Sequence, residues 1–173
     1  VWSTDISQAY LHALTDVSVY IVAPPYFPPN MRGRRFQITK ALYGLGNSGA
    51  RWYGKLHETI SSTLGYFPSE VDPCLWRRLS REGQEELLAV YVDDIIAVGS
   101  RAEEQVREIE DIFLCKGSGP IGDYLGMQIS QNLHQGTITM SMTRYIRHQR
   151  EQFEREHGPV GKKSTPLPSN YRN

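Results

Sequence analysis

Apolar residues recur at every third or fourth position in three stretches of the chain. These stretches are residues 48–64, residues 100–117 and Thr143–His157. This spacing predicts amphipathic helices. Asn47 or Ser48 can cap the first helix, and Ser100 with Glu103 forms a candidate capping box for the second, which we expect to end near Gly117.

Short segments rich in β-branched and aromatic residues predict strands around these helices. They are Trp2–Ile6 and residues 17–23, 36–39, 74–79, 87–92, 95–98, 124–130 and 137–142. The second and third segments, and likewise the last two, are expected to form hairpins. The order of elements is compatible with an α+β fold, in which helices cover one face of an antiparallel split β-α-β-β-α-β sheet of the ferredoxin-like type.

Composition favours a folded protein but not a complete large enzyme. Hydrophobic residues make up 39% of the 173 residues and charged residues 22%, and no apolar run is long enough for a membrane span. Cys74 and Cys115 lack metal-ligand spacing and suggest a reduced, intracellular protein. The formal net charge is zero, so attraction to nucleic acid would depend on local basic stretches, at residues 32–40 and 144–163, which could equally be solvated surfaces.

Two adjacent carboxylates, Asp93 and Asp94, interrupt an apolar run after Tyr91 and Val92. A two-residue hairpin turn would explain them, because Asp tolerates turn conformations. A hard cation such as Mg²⁺ would also explain them, with Asp5 as a further carboxylate at the end of a separate strand. Such a set could serve the two-metal scheme of phosphoryl transfer.

Five blocks of sequence, taken in order, resemble copia-type retrotransposon reverse transcriptases. They are Asp5-Ile6-Ser7-Gln8-Ala9-Tyr10, Ala41-Leu42-Tyr43-Gly44-Leu45 followed by Trp52-Tyr53, Val71-Asp72-Pro73-Cys74-Leu75, Tyr91-Val92-Asp93-Asp94 and Tyr124-Leu125-Gly126-Met127. The resemblance implies an RNA-directed DNA polymerase, with a palm and part of the fingers over residues 1–160. Residues 161–173 would be a polar tail leading to a thumb or connection, so we expect a fragment of a longer Pol protein.

The resemblance also implies roles for individual residues. Asp5, Asp93 and Asp94 would be catalytic and would hold two Mg²⁺ ions, or Mn²⁺, together with the backbone carbonyl of Ile6. Tyr10 would pack beneath the incoming sugar, clash with a 2′-hydroxyl and so select deoxynucleotides. Further roles are implied for Tyr91 and Asn47 at the nucleotide, and for Leu125, Gly126 and Met127 as a primer grip, in which Gly126 would permit close backbone approach.

Two positions keep alternative interpretations. The family usually continues its second block with Lys-Gln-Ala-Pro-Arg, whereas this chain has Gly46-Asn47-Ser48-Gly49-Ala50, so Asn47 is either a nucleotide contact or only a helix cap. Lys116 is either a general acid that protonates pyrophosphate or a lysine favoured by the dipole at a helix C-terminus.

The family implies as partners a primed RNA or DNA template, deoxynucleoside triphosphates and the remaining Pol segments (fingers, thumb and RNase H), with no membrane. It implies a location in cytoplasmic particles and later the nucleus. The altered loop and the zero net charge leave open an inactive palm remnant that acts at most as a nucleic-acid-binding module. Another two-metal enzyme, such as a nucleotide cyclase or a nuclease, is a third reading.

Overall fold

The computed structural model describes residues 1–161, which belong to two compact units. The first unit is Val1–Ile121 and the second begins at Gly122. Antiparallel sheets and three α-helices confirm the α+β class. The predicted division between residues 1–160 and the tail stays a prediction, because most of the tail lies outside the described residues. No helix among residues 1–161 is both long and apolar enough to cross a membrane.

Eight strands form the sheets of the first unit. They are β1 (Trp2–Ile6), β2 (Leu14–Val22), β3 (Arg35–Lys40), β4 (Phe67–Pro68), β5 (Leu75–Leu79), β6 (Glu85–Tyr91), β7 (Asp94–Val98) and β8 (Cys115–Pro120). Six of them make one antiparallel sheet in the order β4-β5-β6-β7-β1-β8. Strands β2 and β3 pair separately, as the predicted hairpin.

Two helices of the first unit cover one face of the six-stranded sheet. They are α1 (Ser48–Glu58), continued by a π-helical turn at Thr59–Thr63, and α2 (Ala102–Glu110). Trp52 of α1 and Val106 of α2 are buried in the same cluster as Ile6 and Ile95 of the strands. Because side chains alternate across a strand, the opposite face carries the neighbours of these strand residues, including the candidate carboxylates.

The second unit is a small sheet with one helix. Its elements are β9 (Asp123–Tyr124), β10 (Met127–Asn132), β11 (Thr137–Ser141) and α3 (Thr143–His157), with strand order β11-β10-β9. The predicted hairpin and the predicted bounds of the third helix are confirmed. Gly158, with φ +83, follows α3 and ends it, as expected of a residue that adopts left-handed φ without strain.

The second helix is shorter than its apolar spacing predicts. It ends at Glu110 rather than near Gly117, because Phe113 turns back into the core and residues 115–120 pair with β1 as an edge strand. The candidate capping box is also wrong. The hydroxyl of Ser100 donates to the Gln84 side chain across the hairpin, and no side chain caps the helix at Arg101.

Candidate active site

Antiparallel pairing of β1 with β7 brings two aspartates from distant parts of the chain together. Asp5 lies directly opposite Asp94 in this register. The Ile6 N–H donates to the carbonyl oxygen of Asp93 at 2.8 Å, which ties the tip of the β6–β7 hairpin to the end of β1. Since partners in register share a face, the carboxylates of Asp5 and Asp94 both lie on the sheet face opposite the helices.

The Tyr91–Asp94 pair closes a two-residue loop made of Val92 and Asp93. Among residues 1–161, positive φ angles outside glycine occur only at Gln8, Val92 (φ +58) and Leu125. A β-branched residue at positive φ is strained. The predicted hairpin turn is therefore present. Its positive φ angle, however, belongs to Val92 and not to an aspartate, so the turn geometry does not explain why Asp93 and Asp94 follow.

Helix α1 supports this strained turn. The indole N–H of Trp52 donates to the carbonyl oxygen of Val92 at 2.7 Å, and Trp52 itself is buried. The sequence showed Trp52 as an apolar helix position and as part of the second block of resemblance, but not as a hydrogen-bond donor to the turn. The one signal that could have suggested more is that a buried indole N–H usually needs an acceptor.

Lys116 does not lie at the helix C-terminus that one of its two interpretations required, and its predicted role as a general acid stays a prediction. It lies in β8 opposite Asp5, and its Nζ is 3.3 Å from Asp5 Oδ1. The interpretation as a C-terminal helix lysine is wrong, because α2 has ended six residues earlier. The ion pair with Asp5 therefore places the Lys116 ammonium beside the aspartates.

The three carboxylates influence one another. Burial, followed by the charges of Asp93 and Asp5, raises the pKa of Asp94, and Lys116 lowers it. Asp5 Oδ1 is buried and, despite the nearby Lys116 ammonium, accepts no hydrogen bond from a described residue. The Lys116 ammonium is the described positive charge beside this oxygen. Because carboxylate oxygens are the ligands that Mg²⁺ takes, the residues present also fit a divalent ion.

Among the described residues, no group of three or more His, Cys, Asp or Glu side chains is arranged to hold a metal ion by itself. Mg²⁺, however, usually keeps several water ligands and binds through one or two carboxylates plus substrate phosphates. The aspartates thus fit a site that substrate oxygens complete.

Tyr10 lies on a 3₁₀ turn, Ala9–His12, directly after β1. Tyr10 lines a cavity of about 260 Å³, together with Trp52 of α1 and with Tyr91 and Val92 of the hairpin. The structure therefore brings the predicted nucleotide residues Tyr10 and Tyr91 to one cavity, which Val92 of the turn also lines.

Asn47 does not line that cavity; it occupies the N-cap position of α1, but its side chain makes no capping hydrogen bond. Its side-chain amide instead donates to the Thr15 hydroxyl at 3.5 Å and to the Asp16 carboxylate. The predicted cap is confirmed in position but not in its side-chain hydrogen bond, because Thr15 and Asp16 of β2 accept from the side-chain amide instead. Its predicted nucleotide contact stays a prediction.

Leu125 and Gly126 form the loop between β9 and β10, with φ +48 and +78. Positive φ at both positions is the geometry of a type I′ hairpin turn, which explains the glycine. An added Cβ at Gly126 would meet only a Tyr145 ring carbon at an ordinary 3.8 Å, so within the described chain no close backbone approach requires it. The primer-grip role of Leu125, Gly126 and Met127 stays a prediction.

The antiparallel α+β sheet with Asp5 opposite Asp94 is compatible with a nucleotidyl-transferring protein, and the family of the chain is shown by comparison with known proteins. The model of the family "Reverse transcriptase (RNA-dependent DNA polymerase)" matches residues 1–165, and the chain belongs to this family.

The relatives confirm the resemblance to copia-type elements. The chain is similar to the retrovirus-related Pol polyprotein from transposon TNT 1-94 of Nicotiana tabacum, with 28% identity over 94% of the chain. It is also similar to the Ty1-DR4 and TyH3 Gag-Pol polyproteins of Saccharomyces cerevisiae, each with 32% identity over 62% of the chain. The chain spans only 12% of the length of the tobacco relative and 6% of the yeast ones. No solved structure matches it.

Proposed function

We propose that this chain is the palm, with part of the fingers, of an RNA-directed DNA polymerase that extends a primer on an RNA or DNA template. The observation that carries the proposal is the pairing of Asp5 with Asp94 beside the strained Val92 turn. The order β6-β7-β1-β8, with α1 and α2 as connections, supports the split β-α-β-β-α-β palm.

In this proposal Asp5, Asp93 and Asp94, with the carbonyl of Ile6, hold two Mg²⁺ or Mn²⁺ ions. When bound, such ions lower the pKa of the attacking primer 3′-hydroxyl and neutralise charge on the leaving pyrophosphate. The register of β1 and β7 orients the carboxylates before substrate arrives, so little rearrangement is needed during the reaction.

Other residues act on the substrate. Lys116, whose ammonium is 66% exposed beside Asp5, is placed to give a proton to pyrophosphate. Tyr10 lies beneath the incoming sugar, and Tyr91 and Asn47 contribute to the nucleotide site. Leu125, Gly126 and Met127 hold the primer end.

The proposed partners are deoxynucleoside triphosphates, a primed template and the remaining Pol segments, including fingers, thumb and RNase H. The proposed setting is a cytoplasmic particle whose DNA product reaches the nucleus. The family and the short share of the relatives that the chain spans support the proposed partners, and the setting rests on the resemblance to copia-type elements alone.

Primer extension on poly-rA/oligo-dT with Mg²⁺ or Mn²⁺ tests the proposal. The proteins compared are the chain alone, the chain joined to a copia-type fingers segment, and the fusion carrying Asp93→Asn. Asp111→Asn is the matched control, because it makes the same change at an exposed site just after α2. We expect extension that Asp93→Asn abolishes and Asp111→Asn preserves. A well-folded fusion that extends no primer would contradict the proposal and indicate an inactive palm remnant.

A further inference from the structure

We infer that Tyr43 is a positioning residue that holds the Tyr10 ring in place and thereby sets the preference for deoxynucleotides over ribonucleotides. This inference rests on the proposed function. Its structural basis is a direct ring contact, in which the centroids of Tyr10 and Tyr43 are 4.6 Å apart and their planes are tilted by 41°. That separation is within the range of favourable aromatic pairs.

A tight turn presents Tyr43 to Tyr10. The Leu45 N–H donates to the Leu42 carbonyl at 3.1 Å, which closes a four-residue turn with Tyr43 in its second position. Gly44 has φ +94, the conformation that a type II turn requires at its third position. Tyr43 is thus fixed by its backbone although its side chain is 75% exposed.

Two buried anchors hold this turn against the body of the first unit. The hydroxyl of Ser48, which is almost fully buried, donates to the Leu42 carbonyl at 2.6 Å. The N–H of Ala41, which is fully buried, donates to the Ala13 carbonyl at 2.9 Å, just after the 3₁₀ turn that carries Tyr10. The turn therefore provides a rigid support on which an exposed aromatic ring can act.

The Tyr10 ring has few other restraints. It packs partly against the core, but one side lines the cavity of about 260 Å³. Within residues 1–161 its hydroxyl makes no hydrogen bond, so no directional contact fixes the ring. Tyr43 does not line this cavity, and its ring gives Tyr10 the described aromatic contact that can hold it in place.

This arrangement has a consequence for substrate choice. A ring that excludes a 2′-hydroxyl by contact does so only if it cannot move aside. Loss of Tyr43 would remove this ring contact and the ring that fills the adjacent space, so Tyr10 could move aside and admit a ribose. Incorporation of ribonucleotides should then rise relative to deoxynucleotides, while the aspartates remain intact.

The first test measures the position of the ring without any need for activity. The full chain is labelled with 3-fluorotyrosine, and the Tyr10 signal is assigned with Tyr10→Phe. We expect Tyr43→Leu to shift or broaden this signal, and Tyr26→Leu to leave it unchanged. Tyr26 is a matched control, because it is 84% exposed and its described ring contact is with Phe27. An unchanged Tyr10 signal in Tyr43→Leu would overturn the inference, whether or not the protein polymerises.

The second test uses the fingers fusion and compares kcat/KM for dTTP and UTP. Tyr43→Leu should lower the dTTP preference about threefold to tenfold, the range expected for loss of one aromatic pair. Tyr43→Phe, which keeps the ring, should retain the wild-type preference. An equal fall in kcat/KM for dTTP and for UTP in Tyr43→Leu would show a merely structural role and overturn the inference. Absence of all extension in the wild-type fusion would instead count against the proposed function, and the fluorine signal would still decide the role of Tyr43.

Discussion

The indole N–H of Trp52 donates to the backbone carbonyl of Val92, the strained residue of the turn that carries Asp93. A residue of α1 thus holds a backbone atom of the β6–β7 turn, 40 positions later in the chain. This hydrogen bond couples the packing of α1 on the sheet to the position of the carboxylates.

Trp52→Phe should keep most of the buried apolar volume and remove the hydrogen bond. We expect a loss of stability of about 1–3 kcal/mol, because the Val92 carbonyl loses its donor. Primer extension by the fingers fusion should fall by a larger factor than in Trp76→Phe. Trp76 is an equally buried indole of the same core, with no described hydrogen bond to the turn. Urea unfolding and primer extension measure the two effects, and equal losses of activity in both variants would show that the hydrogen bond does not position the turn.

Val92→Gly should relieve backbone strain. At φ +58 a β-branched residue costs about 1–3 kcal/mol, whereas glycine adopts this conformation freely. We therefore expect the variant to be at least as stable as the wild type in urea unfolding. Val22→Gly, in the ordinary strand β2, should instead lose about 1 kcal/mol. If Val92→Gly and Val22→Gly lost similar amounts of stability, the Val92 backbone would not be strained.

Asp94→Asn should stabilise the protein in a pH-dependent way. The pKa of Asp94 is raised in the folded state, so its contribution to stability falls as pH rises from the ordinary value of 3.8 through the raised pKa. At pH 7, in the presence of a chelator, the variant should therefore need more urea to unfold than the wild type, and this difference should shrink as pH falls toward 3.8. A difference independent of pH would contradict the argument, and Asp111→Asn serves as the control for removing one negative charge.

Lys116→Gln should make the site bind divalent ions more readily. The Lys116 ammonium lies 3.3 Å from Asp5 Oδ1 and competes with a cation for that carboxylate. Because the Lys116 side chain is 66% exposed, its ion pair with Asp5 is weak. We therefore expect the Mn²⁺ concentration at which Tm has made half of its Mn²⁺-induced rise to fall by at most about fivefold.

Arg144→Gln is the matched control for this measurement. Arg144 is also 66% exposed and pairs with Asp123 at 3.1 Å, in the second unit. It should leave the Mn²⁺ dependence unchanged, whereas Asp5→Asn should abolish it. An Mn²⁺ response that survives in Asp5→Asn would place the ion elsewhere.

Local pattern alone predicted much of this protein. Alternation and turn residues located β1, the β6–β7 hairpin and the bounds of α3, and the ordered blocks around Asp5 and Asp93 identified the family. These features depend on residues within a few positions of one another, or on a motif order that is visible in one dimension.

Only the tertiary structure decided where α2 ends, which partners Asn47 takes and where Lys116 lies. Helical spacing continues past Glu110, but the hydrogen bonds offered by the edge of β1 draw residues 115–120 into the sheet and set Lys116 opposite Asp5. The positive φ of Val92 likewise runs against the preference of valine, and contacts such as the one from Trp52 accompany it. Contacts between residues so far apart in the chain depend on which strands pair and how the helices pack on them, and local residue preferences do not determine this.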